Sequence, residues 1–209
     1  EGQESPELGA PCDVVIKDAT TDGHVASAQV LWNAETVEIN LRVPGLHNIV
    51  NAVAAWIAGV RLGIEGHLMA SSLTAFSGTS RRFEFKGENG GRRLFDDYAH
   101  HPTEVAAAIT QARSAAGNGE VSVVFQPHLY SRTQSFAGRF ADALSHADHV
   151  YVCDIYGARE DPVPGVDSTL ITSHLPKARY VPDMHEAARL AAREVSEGGI
   201  LLTMGAGSI

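Results

Sequence analysis

The amino-terminal part of the chain shows two hydrophobic patterns in succession. Three short runs alternate apolar with polar residues and are separated by polar breaks, which is typical of antiparallel strands. From Leu46 the apolar residues recur at helical spacing, which predicts a helix with one buried stripe, and a second helix is predicted from about Gly66 to Phe76. The predicted strands are Cys12 to Lys17, Val25 to Trp32 and Thr36 to Val43. The predicted stripe comprises Leu46, Ile49, Val50, Val53, Ala54, Ile57 and Ala58.

Beyond residues 77–80, a Ser- and Gly-containing stretch that indicates a hinge, strand-like runs alternate with helix-like runs. This alternation predicts an α/β fold with a mostly parallel sheet flanked by helices. We therefore expect two domains, residues 1–78 and residues 79–209. The predicted strands of the second domain are 83–86, 93–97, 121–126, 150–154, 179–181 and 200–204. Its predicted helices are 102–115, 133–145 and 183–197.

Composition excludes some classes of function. The chain has 209 residues, of which 44% are hydrophobic, so it can bury a core. Its formal net charge of −9 argues against nucleic-acid binding, because neutralising phosphates needs an excess of Lys and Arg. No apolar segment is long enough to span a membrane and the first residues do not resemble a signal peptide, so a cytoplasmic location is expected. Cys153 lies in an apolar run, and we interpret it as a core residue, not a reactive thiol.

Polar side chains or glycines follow four of the predicted strands at their carboxyl ends. In an open parallel sheet, these ends meet at one edge, and ligands bind there. One shared site is therefore the economical explanation. The segments are Asp96 to His101, Gln126 to His128, Cys153 with Asp154, and Gly205 to Gly207.

Each cluster also has an interpretation without function. Asp96 is interpreted as a capping or structural side chain, and Pro102-Thr103-Glu104 as a helix start. For Asp97 and His100, the high density of polar residues around them in the sequence favours a functional role. The pair Arg81-Arg82 is either an exposed surface pair or a phosphate clamp at a domain junction, and spacing does not decide between them.

A second signal lies at the start of the predicted helix that begins at Leu46. His47, Asn48 and Asn51 share one helix face at spacings of three and four residues. Asn is a poor helix former, so either these residues cap the helix or their amides contact a ligand such as adenine. The chain has no Gly-x-x-x-x-Gly-Lys-Ser/Thr loop, and its Gly205-Ala206-Gly207 stretch is weak evidence for a dinucleotide.

Six motifs, in the same order, resemble the Mur ligases, ATP-dependent ligases of peptidoglycan precursor synthesis. The Asp-Tyr-Ala-His core is shared across that family. The double His before Pro-Thr-Glu and the Phe-Gln-Pro-His stretch resemble its alanine-adding branch. The motifs are Pro44 to Ala52, Arg81 to Glu84, Asp96 to Glu104, Phe125 to Thr133, Asp154 to Glu160 and Met204 to Gly207.

The resemblance implies a position within a longer, three-domain enzyme. Residues 1–78 would be the end of the central ATP-binding domain, and residues 79–209 a Rossmann-like carboxyl-terminal domain that stops short of its final helix. The chain would lack the phosphate-binding loop and be inactive alone. The whole enzyme would use ATP, with Mg²⁺, to convert the carboxylate of UDP-N-acetylmuramate to an acyl phosphate, which L-alanine then attacks.

The resemblance also implies residue roles. Asn48 and Asn51 would contact adenine, with His47 beside them in the ATP-binding site. Asp97 would contact the ribose and Arg82 the terminal phosphate, so Arg82 is a candidate catalytic residue. The amino-acid pocket would be lined by Tyr98, His100, His128 and Arg132. His100 would either accept the amine's proton or only position the amine. Magnesium ligands are expected upstream, so no metal ligand is assigned in this chain.

Two positions depart from the family pattern, and two other functions remain open. Leu129 stands where many Mur ligases have Arg, and Ser208 where they have Asp, which weakens the site assignment more than the family resemblance. One alternative is a non-catalytic module that binds nucleotide or amino acid in the same crevice. The other is a metal-dependent hydrolase built on Asp96, His100, His101 and His128, which is disfavoured because adjacent residues of an extended segment point to opposite sides.

Overall fold

The computed structural model of the protein describes residues 14–22, 25–32, 35–207 and 209. The chain divides into two compact units, residues 1–77 and 78–209, close to the boundary predicted from the sequence. No helix within the described ranges is long and apolar enough to cross a lipid bilayer. Cys12 and Ser208, both mentioned above, lie outside the described residues.

The first unit contains a three-stranded antiparallel sheet and two helices. Its strands lie in the order β1 (Val14–Thr21), β2 (Ala26–Trp32) and β3 (Glu35–Leu41), which confirms the predicted antiparallel strands. The helices α1 (Leu46–Arg61) and α2 (Gly66–Thr74) pack on one face of this sheet. Trp56 anchors α1, because its ring meets Trp32 edge-on and its indole N–H donates to the carbonyl of Gly66 at 2.9 Å.

The prediction that α1 buries all seven apolar positions was wrong. Its buried residues are Ile49, Ala52, Val53, Trp56 and Gly59. Leu46 and Val50 are 51% and 58% exposed, and Ala54 and Ala58 are exposed as well. These four residues form one row at intervals of four, which lies beside the face that meets the three-stranded sheet. The periodicity thus identified the helix correctly but not which apolar row is covered.

The second unit is a six-stranded sheet covered by helices on both faces, which confirms the predicted α/β fold. The sheet order is β4-β5-β9-β6-β7-β8, and only β4 is antiparallel to its neighbour. The strands are β4 (Glu84–Asn89), β5 (Arg92–Asp97), β6 (Val121–Phe125), β7 (His149–Val152), β8 (Ala178–Tyr180) and β9 (Ile200–Met204). The helices are α3 (Pro102–Ala116), α4 (Tyr130–Leu144), α5 (Thr169–Thr172) and α6 (Met184–Glu194).

The core of this unit has two layers, one on each side of the sheet. Residues of α3, α4 and α5 pack with one face of the strands, and Ala187 and Ala191 of α6 pack with the other. All five residues of β6 are buried, as expected for a central parallel strand. Cys153 is fully buried, and burial raises the pKa of its thiol to about 12, which confirms that it is a core residue.

Three helices of the second unit differ from the predictions. Helix α6 ends at Glu194, three residues before the predicted end at position 197. Helix α4 begins at Tyr130, three residues before the predicted start at Thr133. The short helix α5 was not predicted, because four residues are too few to show a helical period. By contrast, α3 begins at Pro102 as predicted, where proline at the first helical position needs no hydrogen-bond partner for its nitrogen.

Candidate functional site

The carboxyl ends of four strands of the second unit lie in one row. The strand pairing places Asp97 beside Met204, Met204 beside Phe125, and Phe125 beside Val152. Because β9 lies between β5 and β6, the segments that leave β5 and β6 for α3 and α4 emerge at neighbouring positions of one edge. The sheet topology therefore brings the predicted polar segments together.

Asp97 ends β5 and holds the backbone around it. Its two carboxylate oxygens accept hydrogen bonds from the backbone N–H groups of Phe83 and Ala99, both at 2.7 Å. The residue is buried, and burial raises the pKa of its carboxyl above the ordinary value, although both N–H groups and the nearby charge of Arg82 oppose this. Each oxygen accepts one bond in the structure, so each retains a lone pair that a ligand hydroxyl could use.

The neighbouring Asp96 is a structural side chain, as interpreted from the sequence. It accepts the Nε–H of Arg81 at 2.9 Å and the hydroxyl of Thr203 at 2.9 Å. The remaining nitrogens of Arg81 donate to the carbonyl oxygens of Gly207 and Gly205, at 2.6 and 2.7 Å. Arg81 therefore ties the start of the second unit to the segment that follows β9.

The structure distinguishes the roles of Arg81 and Arg82, which their spacing in the sequence could not. Arg81 is committed to the contacts just described, whereas Arg82 is exposed. The guanidinium carbons of Arg81 and Arg82 lie 5.2 and 5.9 Å from the centre of the Tyr98 ring. Arg82 is thus the member of the pair that is available to an anionic ligand, and its neighbour is not.

Three residues organise the segment that leads from β5 into α3. His101 is the N-cap of α3, and its ring packs against Phe136. Glu104, in the first turn, accepts the backbone N–H groups of His100 and His101 at 3.0 and 3.2 Å. Burial acts to raise the pKa of Glu104, but the N–H and ring of His100, the N–H of His101 and the charge of Arg82 outweigh it, so this pKa is lowered. The ring of His100 therefore lies beside an ionised carboxylate.

Adjacent His100 and His101 point in different directions. The ring of His100 contacts the rings of Tyr98 and His128, with centroid distances of 5.2 and 5.7 Å, whereas His101 faces Phe136. Within residues 14–22, 25–32, 35–207 and 209, no three His, Cys, Asp or Glu side chains are grouped so that they could hold a metal ion. The geometry therefore does not favour the metal-dependent hydrolase.

The segment that leads from β6 into α4 brings His128 and Arg132 to the same edge. Arg132 donates from Nη1 to Nδ1 of His128 at 3.2 Å and to the carbonyl oxygen of His100 at 3.4 Å. The pKa of His128 is lowered by burial first, then by the charges of Arg132 and His100, while Glu160 opposes the shift. Arg132 thus bridges His100 and His128, and its charge favours the neutral form of His128.

Residues outside the predicted site support this second segment. Tyr156 stacks on His128 with a centroid distance of 5.8 Å, and its carbonyl oxygen accepts the N–H of Leu129. Glu160 accepts the N–H of Ser131 at 2.9 Å and also its hydroxyl. Both residues lie in the family motif at Asp154 to Glu160, but nothing in their spacing indicated that they would meet α4.

Four rings therefore form a continuous row along the edge, Tyr98, His100, His128 and Tyr156. Tyr98 and Tyr156, at its two ends, are 37% and 44% exposed. The glycine at 207 allows this packing, because a Cβ there would lie 2.3 Å from Oε1 of Gln126 and 3.1 Å from the ring of Tyr156. Sequence reasoning did not identify Tyr156 or the reason for this glycine.

One shallow depression of about 470 Å³ lies near the Arg81–Asp96 pair. Its lining includes Arg81 and Asp96 but none of the four rings, so the depression is distinct from the ring row. We attach no function to it, because its two central charged groups already satisfy each other. Its lining residues are Ser80, Arg81, Lys86, Leu94, Asp96, Thr203 and Ile209.

In the first unit, the three residues predicted to bind ATP lie in the first turn and a half of α1. His47 and Asn51 are exposed, and Asn48 is half-buried. The amide Nδ2 of Asn48 donates to the carbonyl oxygen of Pro44 at 2.7 Å, so the side chain closes the turn that precedes the helix. This leaves the amide oxygen of Asn48 as the group that could contact a ligand.

The chain is similar to proteins of known family. Residues 81–207 match the family described as Mur ligase, glutamate ligase domain. The chain is 51% identical over 188 residues to UDP-N-acetylmuramate–L-alanine ligase of Paenarthrobacter aurescens, covering 90% of this chain and 41% of that protein. It is 47% identical over 204 residues to the ligase of the same name from Kineococcus radiotolerans, covering 96% of this chain and 43% of that one.

A solved structure shows the same architecture. The crystal structure of UDP-N-acetylmuramate–alanine ligase from Thermotoga maritima superimposes with a TM-score of 0.77 at 28% identity. That match covers 94% of this chain and 43% of the Thermotoga chain. This chain therefore spans less than half the length of these relatives.

Proposed function

Because the chain belongs to the Mur ligase family, we propose that it forms the carboxyl-terminal part of an ATP-dependent ligase that joins L-alanine to UDP-N-acetylmuramate. The similarity to two ligases of that name, over nine-tenths or more of this chain, supports this substrate pair. In this proposal residues 1–78 belong to a central ATP-binding domain, and residues 79–209 form the domain that presents the amino acid.

The observation that carries the proposal is the convergence of Tyr98, His100, His128 and Arg132 at one edge of the sheet. A small amino acid needs a cation for its carboxylate and an acceptor for its amine. Arg132 presents a planar guanidinium, which can bind both carboxylate oxygens, and its contacts to His128 and the His100 carbonyl involve Nη1. We propose that His100 receives a proton from the amine, since a neutral imidazole has one ring nitrogen that can accept a proton.

The proposed nucleotide contacts use side-chain groups that are not occupied by contacts within the protein. We propose that His47, Asn48 and Asn51 contact adenine, with the free amide oxygen of Asn48 accepting from the exocyclic amino group. Asp97 would accept a ribose hydroxyl through its remaining lone pairs, and the exposed Arg82 would bind the terminal phosphate. Arg82 is then a catalytic residue, because it neutralises charge on the transferred phosphoryl group.

The proposed reaction has two steps. ATP transfers its terminal phosphoryl group to the muramoyl carboxylate, and the alanine amine then attacks the acyl carbon. Loss of phosphate from the tetrahedral intermediate leaves the amide. The protein's part is to hold the amine against the acyl carbon and to offset negative charge. Mg²⁺ is expected with ATP, but no three His, Cys, Asp or Glu side chains of the described residues are grouped so that they could hold it.

A hybrid enzyme tests this proposal. This chain would replace the 41% of the Paenarthrobacter aurescens ligase that it matches, and phosphate release would be measured with ATP, UDP-N-acetylmuramate and single amino acids. We expect L-alanine to stimulate release and the amide product to appear in equal amount. Stimulation by a different amino acid alone would contradict the substrate, and L-alanine binding without product would favour the non-catalytic module.

Arg132 offers a variant with a matched control on the same helix. Arg132→Ala should raise KM for L-alanine about 10- to 100-fold, because a hydrogen bond to a charged group contributes about 1.5–3 kcal/mol. Arg139, two turns further along α4, is exposed, and its guanidinium lies over the ring of Phe136. Arg139→Ala should leave KM within about twofold, and equal losses in both variants would contradict the carboxylate role of Arg132.

A further inference from the structure

We propose that the two histidines of the ring row hold opposite neutral tautomers and divide the chemistry of amide formation between them. His100 carries its proton on Nδ1 and offers Nε2 to the incoming amine as a base. His128 carries its proton on Nε2 and uses this N–H to donate a hydrogen bond to the oxygen of the acyl carbon. Glu104 is the positioning residue for the first histidine and Arg132 for the second. The chemical roles rest on the proposed function, whereas the tautomers do not.

The tautomer of His100 follows from its acceptor neighbours. Its Nδ1 lies 2.8 Å from the carbonyl oxygen of Tyr98, and a carbonyl oxygen can only accept, so Nδ1 must donate. The carboxylate of Glu104 lies 3.4 Å from the same nitrogen and is a second acceptor. With the proton held on Nδ1, the neutral ring has its lone pair on Nε2.

The tautomer of His128 follows from a donor neighbour. Nη1 of Arg132 lies 3.2 Å from Nδ1 of His128, and a guanidinium can only donate, so Nδ1 must accept. The proton of the neutral ring is then on Nε2. The lowered pKa of His128 agrees with this arrangement, because burial and Arg132 both disfavour a second proton.

The two side chains face one another with the donor and the acceptor both available. The ring centroids of His100 and His128 are 5.7 Å apart, and the rings are nearly perpendicular. Groups facing His100 are Tyr98, Glu104, His128 and Arg132, and groups facing His128 are His100, Arg132, Tyr156 and Glu160. Of the two rings, His100 is the one with an anion beside its protonated nitrogen.

Because only His100 has a carboxylate beside its protonated nitrogen, we assign it the role of base and His128 the role of hydrogen-bond donor. The ammonium group of alanine gives one proton to Nε2 of His100, and Glu104 stabilises the resulting imidazolium. The amine lone pair forms the bond to the acyl carbon, and the resulting oxyanion accepts the Nε2–H of His128. The bond from carbon to the phosphate oxygen then breaks. The phosphate leaves with that electron pair and takes the second N–H proton.

The tautomers can be measured on the 209-residue chain without any ligand. Histidine labelled with nitrogen-15 would be observed in long-range proton–nitrogen spectra at neutral pH, with His100→Gln and His128→Gln used to assign the two rings. We expect a protonated Nδ1 in His100 and a protonated Nε2 in His128. Finding the same tautomer in both rings would overturn the proposal whether or not the hybrid enzyme is active.

Glu104→Gln separates the charge of Glu104 from its structural contacts. The amide oxygen of Gln can still accept the N–H groups of His100 and His101, so the start of α3 is preserved, but the charge beside Nδ1 is lost. We expect His100 to begin sampling the Nε2–H tautomer, which appears as averaged nitrogen shifts. Glu186→Gln, at an exposed ion pair on α6, is the matched control and should leave both rings unchanged.

The kinetic readout in the hybrid enzyme should distinguish positioning from folding. Glu104→Gln should lower kcat roughly tenfold, which is only part of the roughly 100- to 10,000-fold that general base catalysis contributes, because His100 itself remains. KM for L-alanine should change less than about twofold. An unaltered His100 spectrum together with unaltered kcat in this variant would remove Glu104 from the proposal.

Discussion

Two strand-to-helix segments carry the candidate site, and they are held in place differently. The first segment, from β5 into α3, is fastened by its own neighbours in sequence, since Asp97 accepts from Ala99 and Glu104 accepts from His100 and His101. The second segment, from β6 into α4, has no side-chain cap of its own. The first helical turn that follows it is bound instead by Glu160, which lies well beyond α4 in the chain.

The backbone shows the same contrast. The N-cap of α3, His101, has ordinary extended dihedral angles of −119° and 145°. The N-cap of α4, Leu129, has φ 72° and ψ 134°, a region that residues other than glycine rarely adopt. The surroundings hold Leu129 there through the carbonyl of Tyr156 and through Thr133, whose N–H and hydroxyl both donate to the Leu129 carbonyl. The first segment is thus set by local sequence, and the second by tertiary contacts that impose strain.

The largest expected effect comes from removing the local anchor of the first segment. Asp97→Ala would leave the buried N–H groups of Phe83 and Ala99 without their acceptor. Each unsatisfied buried donor costs about 1–3 kcal/mol, so we expect the free energy of unfolding to fall by about 2–4 kcal/mol. Urea denaturation followed by circular dichroism measures this. A loss below about 1 kcal/mol would show that the first segment does not depend on this residue.

Glu104→Ala removes the second local anchor. The two backbone N–H groups that it caps lie at the helix start and are more accessible than those held by Asp97. We therefore expect a smaller loss of about 1 kcal/mol, which is typical of a lost N-terminal cap. In the same urea denaturation, Glu104→Gln should reduce the free energy of unfolding clearly less than Glu104→Ala does. Equal reductions in the two variants would mean that the charge itself stabilises the helix.

Leu129 allows the strain in the second segment to be measured. Glycine adopts positive φ readily, so Leu129→Gly should be more stable than Leu129→Ala by about 1 kcal/mol. The corresponding pair in the first segment, His101→Gly and His101→Ala, should differ by about 0.5 kcal/mol, because glycine is the better N-cap even where φ is negative. If alanine were as stable as glycine at position 129, the segment would have another conformation in solution.

Glu160→Ala should affect only the start of α4. The contact is exposed to solvent, so we expect the amide proton of Ser131 to exchange severalfold faster while amides of the α4 centre keep their protection. Hydrogen exchange observed by NMR resolves the two positions. Uniformly faster exchange along α4 would indicate that the remote contact supports the whole helix and not its first turn alone.

The smallest effect distinguishes the two segments by their response to pH. Because the pKa of His128 is below its ordinary value of 6.5, its contribution to stability is present above pH 6.5 and is lost as the pH falls through the folded-state pKa. The pKa of Asp97 is raised, so its contribution is present below pH 3.8 and is lost as the pH rises through the folded-state value. Between about pH 7 and 5, His128→Gln should therefore lose less stability than the wild type in urea titrations.

The same contrast explains what the sequence could predict. The start of α3 was placed correctly because Pro102 and Glu104 are signals that lie within the helix itself. The start of α4 was placed three residues late because its anchors, Tyr156 and Glu160, are distant in sequence. The sheet followed from alternating apolar runs, whereas α5 was too short to show a period.

The candidate site shows the same limits. The strand-end rule brought Asp97, His100 and His128 to one edge, because the carboxyl ends of parallel strands meet there. It could not separate Arg81 from Arg82, since adjacent residues of one type are distinguished only by the partners that folding provides. Nor could it identify Tyr156, whose contact with His128 depends on how the loop after β7 returns to the edge.

The contacts of Arg81 have a consequence for chain connectivity. One guanidinium holds the beginning of the second unit against Gly205 and Gly207 near its end. The backbone at positions 81 and 207 is thus already brought together, so a short covalent linker between these two positions would displace no strand. New termini opened in the exposed stretch 161–165 would then give a circularly permuted unit with the same sheet and the same row of rings.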